Sequence, residues 1–316
     1  MSPETQTTPE AKEIGFSTRH GVDWAEYTLF RPSYRESFFK RIYDYHADKN
    51  GVCWSTAHDV GAGNGVVSSA LADRFHRVVV SDPNEGYNEV ARHLLLSQHG
   101  DVESNFVFLQ ESAEKSSVET GSVDLITVCE CMHYMDTDAA VSEFARQLKP
   151  GGTLAITYYS LPLIVGNEHA HLVWREIMGA FKRRTTGPMF DRAFEICSSA
   201  YDSIALPPAH WHAVKRVYVN ASRGRASFSH NDDVGEDRVE SSEERIWVYG
   251  DPDWSDEQGV DWLKGSLATW APRIPESEIQ DLWDELADIL DGAKVRIETP
   301  MVTILATRRA ENSTVQ

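Results

Sequence analysis

Cysteine is scarce in this chain: Cys53, Cys129, Cys131 and Cys197 are the four in 316 residues, and no two stand as Cys-x-x-Cys. That spacing excludes a disulfide framework, and reduced thiols are expected. Cys129 and Cys131 flank Glu130 without His or Cys partners at ligand spacing, so packing and pocket lining are expected of them and no metal is. Long apolar runs are missing as well. No stretch approaches the roughly 20 residues that span a bilayer, and residues 1–13 are polar with no hydrophobic signal core, so a cytoplasmic location is expected. Positive charge is also short, with 30 Lys and Arg against 49 Asp and Glu, a formal charge of −19. Such a field repels phosphate backbones and anionic headgroups, which argues against nucleic acid and membrane surfaces as partners. No repeat appears at solenoid periods. Nothing in the sequence reports the oligomeric state.

What is present is an ordinary globular composition, 41% hydrophobic and 25% charged, enough for a sizeable core. Phe38, Phe39, Ile42 and Tyr45 stand at helical spacing and predict a helix over 36–47. Alternation follows: strand 56–60, helix 66–75, strand 77–81, helix 85–99, strands 105–109 and 123–129, helix 137–148, a Lys149-Pro150-Gly151-Gly152 turn, strand 153–158. Strand-helix alternation means an α/β chain with a parallel sheet wound on both faces, whose ligand crevice lies at the carboxyl ends of the strands.

After residue 160 the rhythm becomes that of a cap: a helix over 169–181, a segment 193–204 and a strand-like run 214–219. Residues 231–261 hold twelve acidic and two basic residues, and the first part of this insertion reads as a solvated loop. A helix over 278–290 and a strand 295–307, interrupted by Pro300, complete the chain. The expected organisation is a flexible tail 1–15, a cofactor-binding core with a lid over 16–160, a substrate cap over 161–292, a last sheet strand over 293–310 and a tail 311–316.

The most informative motif is Asp59-Val60-Gly61-Ala62-Gly63-Asn64-Gly65, placed between a strand and a helix. Glycines are needed where a tight turn lets a ligand approach backbone amides that a Cβ would obstruct. Asp82 ends the next strand, at the distance where a carboxylate accepts both ribose hydroxyls; capping the following helix is its competing role. A dinucleotide fingerprint would want glycine at position 66, which is Val66, and Asp59 would repel a diphosphate but attract the ammonium of a methionine moiety. The turn favours S-adenosylmethionine.

Here the sequence resembles the class I S-adenosylmethionine-dependent methyltransferases, and within them the trans-aconitate methyltransferase branch and fungal small-molecule relatives. The resemblance runs over about 27–158 and rests on Tyr27-x-x-x-Arg31-Pro32-x-Tyr34, the Asp59 to Gly65 turn, Ser81-Asp82-Pro83-Asn84, Ser112-Ala113-Glu114, Glu130-Cys131-Met132-His133-Tyr134 and Leu148-Lys149-Pro150-Gly151-Gly152. It implies a Rossmann-like fold, a mostly parallel seven-stranded sheet with a helical cap and an antiparallel final strand. It also implies that Asp59, Gly61 and Gly63 surround the methionine part, Asp82 the ribose, and Ser112, Ala113 and Glu114 the adenine. Asn64, Pro83, Asn84 and Glu130 are further candidate cofactor contacts. Tyr27 and Arg31 would close over the carboxylate end, a surface pair being the alternative.

His133 follows the fourth strand at its carboxyl end and is the candidate catalytic base, with a satisfied pocket-wall histidine as the alternative. Trp24, Tyr34, His133, Tyr134, Trp174 and Trp211 are the candidate acceptor contacts, although core packing competes for the tryptophans. The expected activity is methyl transfer from S-adenosylmethionine, leaving S-adenosylhomocysteine, to a small organic acceptor, a carboxylate or other oxygen nucleophile. Two alternatives stay open: a methyltransferase-fold protein that performs a non-methylating rearrangement or only binds a ligand, and a nicotinamide oxidoreductase.

Overall fold

A computed structural model describes residues 22–99, 105–229, 234–270 and 274–310. Both expected tails, 1–15 and 311–316, lie outside the described residues, as does the start of the acidic insertion. The helices are α1 (Trp24–Phe30), α2 (Glu36–Ala47), α3 (Val66–Ala72), α4 (Glu85–His99), α5 (Thr137–Gln147), α6 (Glu168–Arg184), α7 (Pro188–Ser198), α8 (Val260–Ala268) and α9 (Gln280–Leu290). The strands are β1 (Thr56–Val60), β2 (Arg77–Ser81), β3 (Phe106–Leu109), β4 (Val123–Cys129), β5 (Leu148–Tyr159), β6 (Leu163–Ile164), β7 (Trp211–Val219), β8 (Glu244–Val248), β9 (Ser255–Gln258), β10 (Val295–Glu298) and β11 (Met301–Arg308).

The principal sheet has the order β3-β2-β1-β4-β5-β11-β7-β8. Strands β3, β2, β1, β4 and β5 are parallel, and β11 runs antiparallel to both β5 and β7. This is the doubly wound sheet with an antiparallel last strand, carrying eight strands where seven were expected. The additional one, β8, pairs parallel with β7 from inside the acidic insertion. Arg245 on β8 turns part of that acidity into ion pairs, reaching Asp202 at 3.0 Å and Asp237 at 2.6 Å.

Three further boundaries differ from expectation for local reasons. The Lys149 to Gly152 turn lies inside β5, where the pairing with β4 shifts register and Gly152 leaves no room for a Cβ, the Lys149 carbonyl being 2.9 Å away. The run 295–307 is two strands, because Thr299 and Pro300 end β10 and its neighbours differ: β10 joins a small antiparallel sheet in the order β6-β10-β9. Helix α3 stops at Ala72, short of Phe75.

Two apolar clusters cover the faces of the large sheet. One, containing Phe38, Leu71, Val80 and Tyr159, lies under α2, α3 and α4; the other, containing Phe144, Ile156, Tyr201 and Phe228, lies under α5 and α7. The cap has a core of its own, with Trp174, Ile177, Leu263, Trp283 and Leu286. Parallel β1, β2 and β4, buried on both faces, therefore present their carboxyl ends to the space beneath α1 and the cap. Among the described residues no helix is long and apolar enough to cross a membrane.

Candidate functional site

The glycine turn joins β1 to α3 with Gly61, Gly63 and Gly65 at φ of +65°, +56° and +82°. Those values are open to glycine and strained for a side chain. A Cβ on Gly61 would sit 2.5 Å from Cys131 Sγ, which donates to the Val60 carbonyl at 3.2 Å, so the turn is locked against the end of β4.

Asp59 does not face outward from this turn. It is 1% exposed, Oδ2 accepting from Ser68 Oγ at 2.6 Å and Oδ1 from Thr127 Oγ1 at 2.9 Å, so it ties β1 to α3 and β4. Burial pushes its carboxyl up to about 6 against those two hydrogen bonds. Asp82 reaches the turn from β2: Oδ2 accepts Gly63 N at 3.1 Å and Oδ1 accepts Asn84 N at 2.8 Å. Burial raises its carboxyl too, opposed by these amides. Asn84, rather than Asp82, accepts from the first turn of α4, at Gly86 N. The backbone of Pro83 is exposed beside them and accepts from Gln110 Nε2 at 3.5 Å.

Above the turn lies α1, started by Asp23, whose Oδ1 accepts the Ala25 and Glu26 amides. Its Trp24 ring packs on Gly63, 3.8 Å from where a Cβ would be, and edge-on to Tyr87. Trp24 thus covers the glycine turn, where an acceptor contact was expected. At the other end of α1, Phe30 fills the space a Cβ would need on Gly265 of α8, at 2.4 Å. Arg31 donates from Nε to Thr269 Oγ1 at 2.8 Å, and its guanidinium lies over Trp270 at 3.9 Å and Tyr27 at 5.0 Å. Arg31 is therefore no loose surface pair with Tyr27 but a tie between the end of α1 and the residues that follow α8.

At the carboxyl end of β4, Glu130 adopts φ +61°, unusual for a residue with a side chain. Its Oε1 accepts the Tyr159 amide at 2.5 Å. Burial pushes its carboxyl up to about 8, opposed by that amide and by the Arg31 charge. His133 follows on a single 3-10 turn (Met132–Tyr134) and is 6% exposed. Its Nδ1 meets Tyr201 Oη at 2.7 Å, and its ring lies 4.1 Å from Tyr134 and 5.7 Å from Tyr158. Tyr34 stands in the same neighbourhood, 6.1 Å from Tyr159 and in electrostatic reach of Glu130, and burial holds its hydroxyl well above the ordinary range.

The remaining candidates fall in two places. Ser112, Ala113 and Glu114 follow β3; Ala113 is buried, Ser112 exposed, and Glu114 accepts the Asp136 amide at 3.0 Å. Trp174 and Trp211 are not brought to the site. Trp174 is fully buried in the cap core, its Nε1 donating to the Pro162 carbonyl at 2.7 Å. Trp211 begins β7, paired with Arg308 at the end of the sheet opposite Tyr159, and packs in the sheet core. Both expectations give way to packing, the ordinary fate of an aromatic on an apolar face.

The residues present fit S-adenosylmethionine: a glycine turn roofed by one indole, with the carboxylate of Asp82 accepting its Gly63 amide. Residues 58–156 match the family described as methyltransferase domain. Across nearly full length, the chain is 26% identical to the methyltransferase cfoB of Aspergillus candidus, covering 95% of this chain and 99% of that protein. It is 32% identical to the methyltransferase ptaI of Pestalotiopsis fici, covering 96% of this chain and 99% of that one. The chain belongs to the S-adenosylmethionine-dependent methyltransferases. Its fold is shared with a protein of Anaeromyxobacter dehalogenans assigned as a type II methyltransferase, at TM-score 0.58 and 20% identity over 87% of this chain and 97% of that one.

For this methyltransferase, sequence reasoning missed Phe30, Gly265 and Thr269, which tie α1 to the cap, and Tyr159 and Tyr201, which hold Glu130 and His133. The one local signal was Gly265 within a helical pattern, a position that invites a close approach. The others depend on pairings between 29 and more than 200 residues apart in sequence.

Proposed function

We propose that this methyltransferase acts on an oxygen nucleophile of a small organic acceptor, held between α1, the carboxyl ends of β4 and β5, and the cap. The observation that supports this reading is the grouping at those strand ends. Glu130 and His133 can take up a proton, Tyr34, Tyr134 and Tyr159 supply neutral hydroxyls, and Arg31 supplies positive charge. Such a set suits a hydroxyl or carboxyl group on an otherwise apolar molecule.

When bound, the cofactor supplies an electrophilic methyl on a positively charged sulfur. The chain's own residues do the rest. The amides around Gly61 and Gly63 would receive the methionine part, Asp82 would accept from the ribose hydroxyls, and the loop 112–114 would border the adenine. Trp24 closes over the turn, and Arg31, tied to Thr269, draws the cap down with it. Closure aligns the acceptor oxygen with the methyl and removes water, and in favourable cases alignment of this sort lowers a barrier by about 7 to 11 kcal/mol.

The test is product mass. Incubating the protein with S-adenosylmethionine and a panel of simple phenols, benzoic acids, anilines and thiophenols should give phenol ethers or benzoate esters one methylene heavier. Methylation confined to anilines or thiophenols would contradict the oxygen reading.

A further inference from the structure

Glu130 is placed unlike any other carboxylate at the strand ends. A residue in the left-handed region breaks the pleat of β4, so its side chain is aimed by the turn and not by the strand alternation. Both ends of the residue are fixed to β5: its amide donates to the Thr157 carbonyl at 3.0 Å and its Oε1 accepts the Tyr159 amide at 2.5 Å. Among the described residues Oε2 makes no hydrogen bond, and it is the atom left to meet an acceptor.

The groups that face Glu130 come from every neighbouring element. The lid segment contributes Arg31 and Tyr34, the end of β5 Tyr158 and Tyr159. Cys129, Cys131 and Tyr134 adjoin it in sequence, and Cys197 and Tyr201 reach it from the cap. Burial raises every one of these thiols and phenols, so they stay neutral and Arg31 is the one cation among them. His133, by contrast, has its Nδ1 held by Tyr201 and its ring packed between Tyr134 and Tyr158.

We infer that Glu130 is the catalytic base, taking the proton of an acceptor hydroxyl of phenol or enol type, with His133 as a positioning residue. The inference rests on the oxygen-acceptor reading above and narrows it, since a carboxylate acceptor would need no base. In the step, the acceptor O–H bond breaks and its proton passes to the Glu130 carboxylate. The oxygen pair forms the new C–O bond, the methyl–sulfur bond breaks, and that pair returns to sulfur, leaving a neutral thioether and a protonated Glu130 that later loses its proton to solvent. A carboxyl that burial lifts to about 8 suits this task, because the positive charge of a bound sulfonium would favour its ionised form.

The experiment is a pair of calorimetric titrations, S-adenosylmethionine and S-adenosylhomocysteine, each in phosphate and in Tris at neutral pH. Wild type should release more protons with the cationic ligand than with the neutral thioether. Glu130→Gln should bind both within about tenfold of wild type and lose the difference, while His133→Gln should keep it. Equal release by wild type, a difference that persists in Glu130→Gln, or one lost in His133→Gln overturns the assignment. With a phenol from the panel, Glu130→Gln should lower kcat by about 10²- to 10⁴-fold, the loss shrinking as pH approaches the phenol's own ionisation. Benzoate esters alone, formed equally by the variant, would overturn the base while sparing the oxygen reading. Methylated anilines or thiophenols alone would sink that reading and leave the proton count to judge Glu130's place beside the sulfonium.

Discussion

The indole of Trp24 rests on Gly63, 3.8 Å from where a Cβ would stand, while the far end of the same short helix fills the space beside Gly265. One seven-residue helix therefore touches both the cofactor turn and the cap. Binding at the turn and closure of the cap should be coupled through it.

Gly265→Ala separates this coupling from stability. An alanine in mid-helix favours α8 by up to about 1 kcal/mol, yet its Cβ would lie 2.4 Å from Phe30, so α1 must move. The helix gain and the loss of the Phe30 contact oppose each other, so the urea midpoint should change little, while S-adenosylhomocysteine affinity falls by about tenfold. Amide exchange over 24–30 should slow when the ligand binds wild type and respond less in the variant. Unaltered affinity with unaltered exchange would remove α1 from the account.

Asp59 makes a pH prediction. Its folded-state value is raised from 3.8 to about 6, so between those values the native state holds the proton more tightly than the unfolded chain. The group's contribution to stability then falls as pH rises through that window and levels off above it. Asp59→Asn has no such penalty. Relative to wild type it should gain up to about 3 kcal/mol between pH 4 and 7 in urea unfolding, whatever the constant offset from altered bonds to Ser68 and Thr127. A flat difference would mean that the carboxylate is not held in a desolvated site.

Arg216 carries the wall behind His133. It is fully buried, its Nε donating to Glu243 at 2.6 Å, Nη1 to the Tyr201 carbonyl and Nη2 to the Ile204 carbonyl, each at 2.8 Å. Arg216→Ala strands the Glu243 carboxylate and should cost about 3 to 5 kcal/mol. Adding Glu243→Leu should recover part of it, because Asp202 keeps Tyr218, Arg225 and Arg245. No recovery in the double variant would show that the lost carbonyl bonds dominate.

Much of this was legible in the chain itself. Helix α2, strands β1, β2 and β4 and helix α4 fall where periodicity and punctuation put them, because their burial repeats locally. Asp82 stands beside the glycine turn, accepting from Gly63 N. What was not legible depends on distant partners. β8 hides in an acidic stretch because its charges pair with Asp202 and Asp237, and Trp174 and Trp211 look like pocket walls until their neighbours are known. The aim of Glu130 is likewise set by a backbone angle that no residue pattern announces.

The most direct measurement is calorimetric titration of S-adenosylhomocysteine into wild type and Asp82→Ala. Hydrogen bonds to a charged acceptor contribute about 1.5 to 3 kcal/mol each, so the account predicts clear binding by wild type and a loss of about tenfold or more in the variant. Equal affinity in the two proteins, or no binding by wild type, would contradict it.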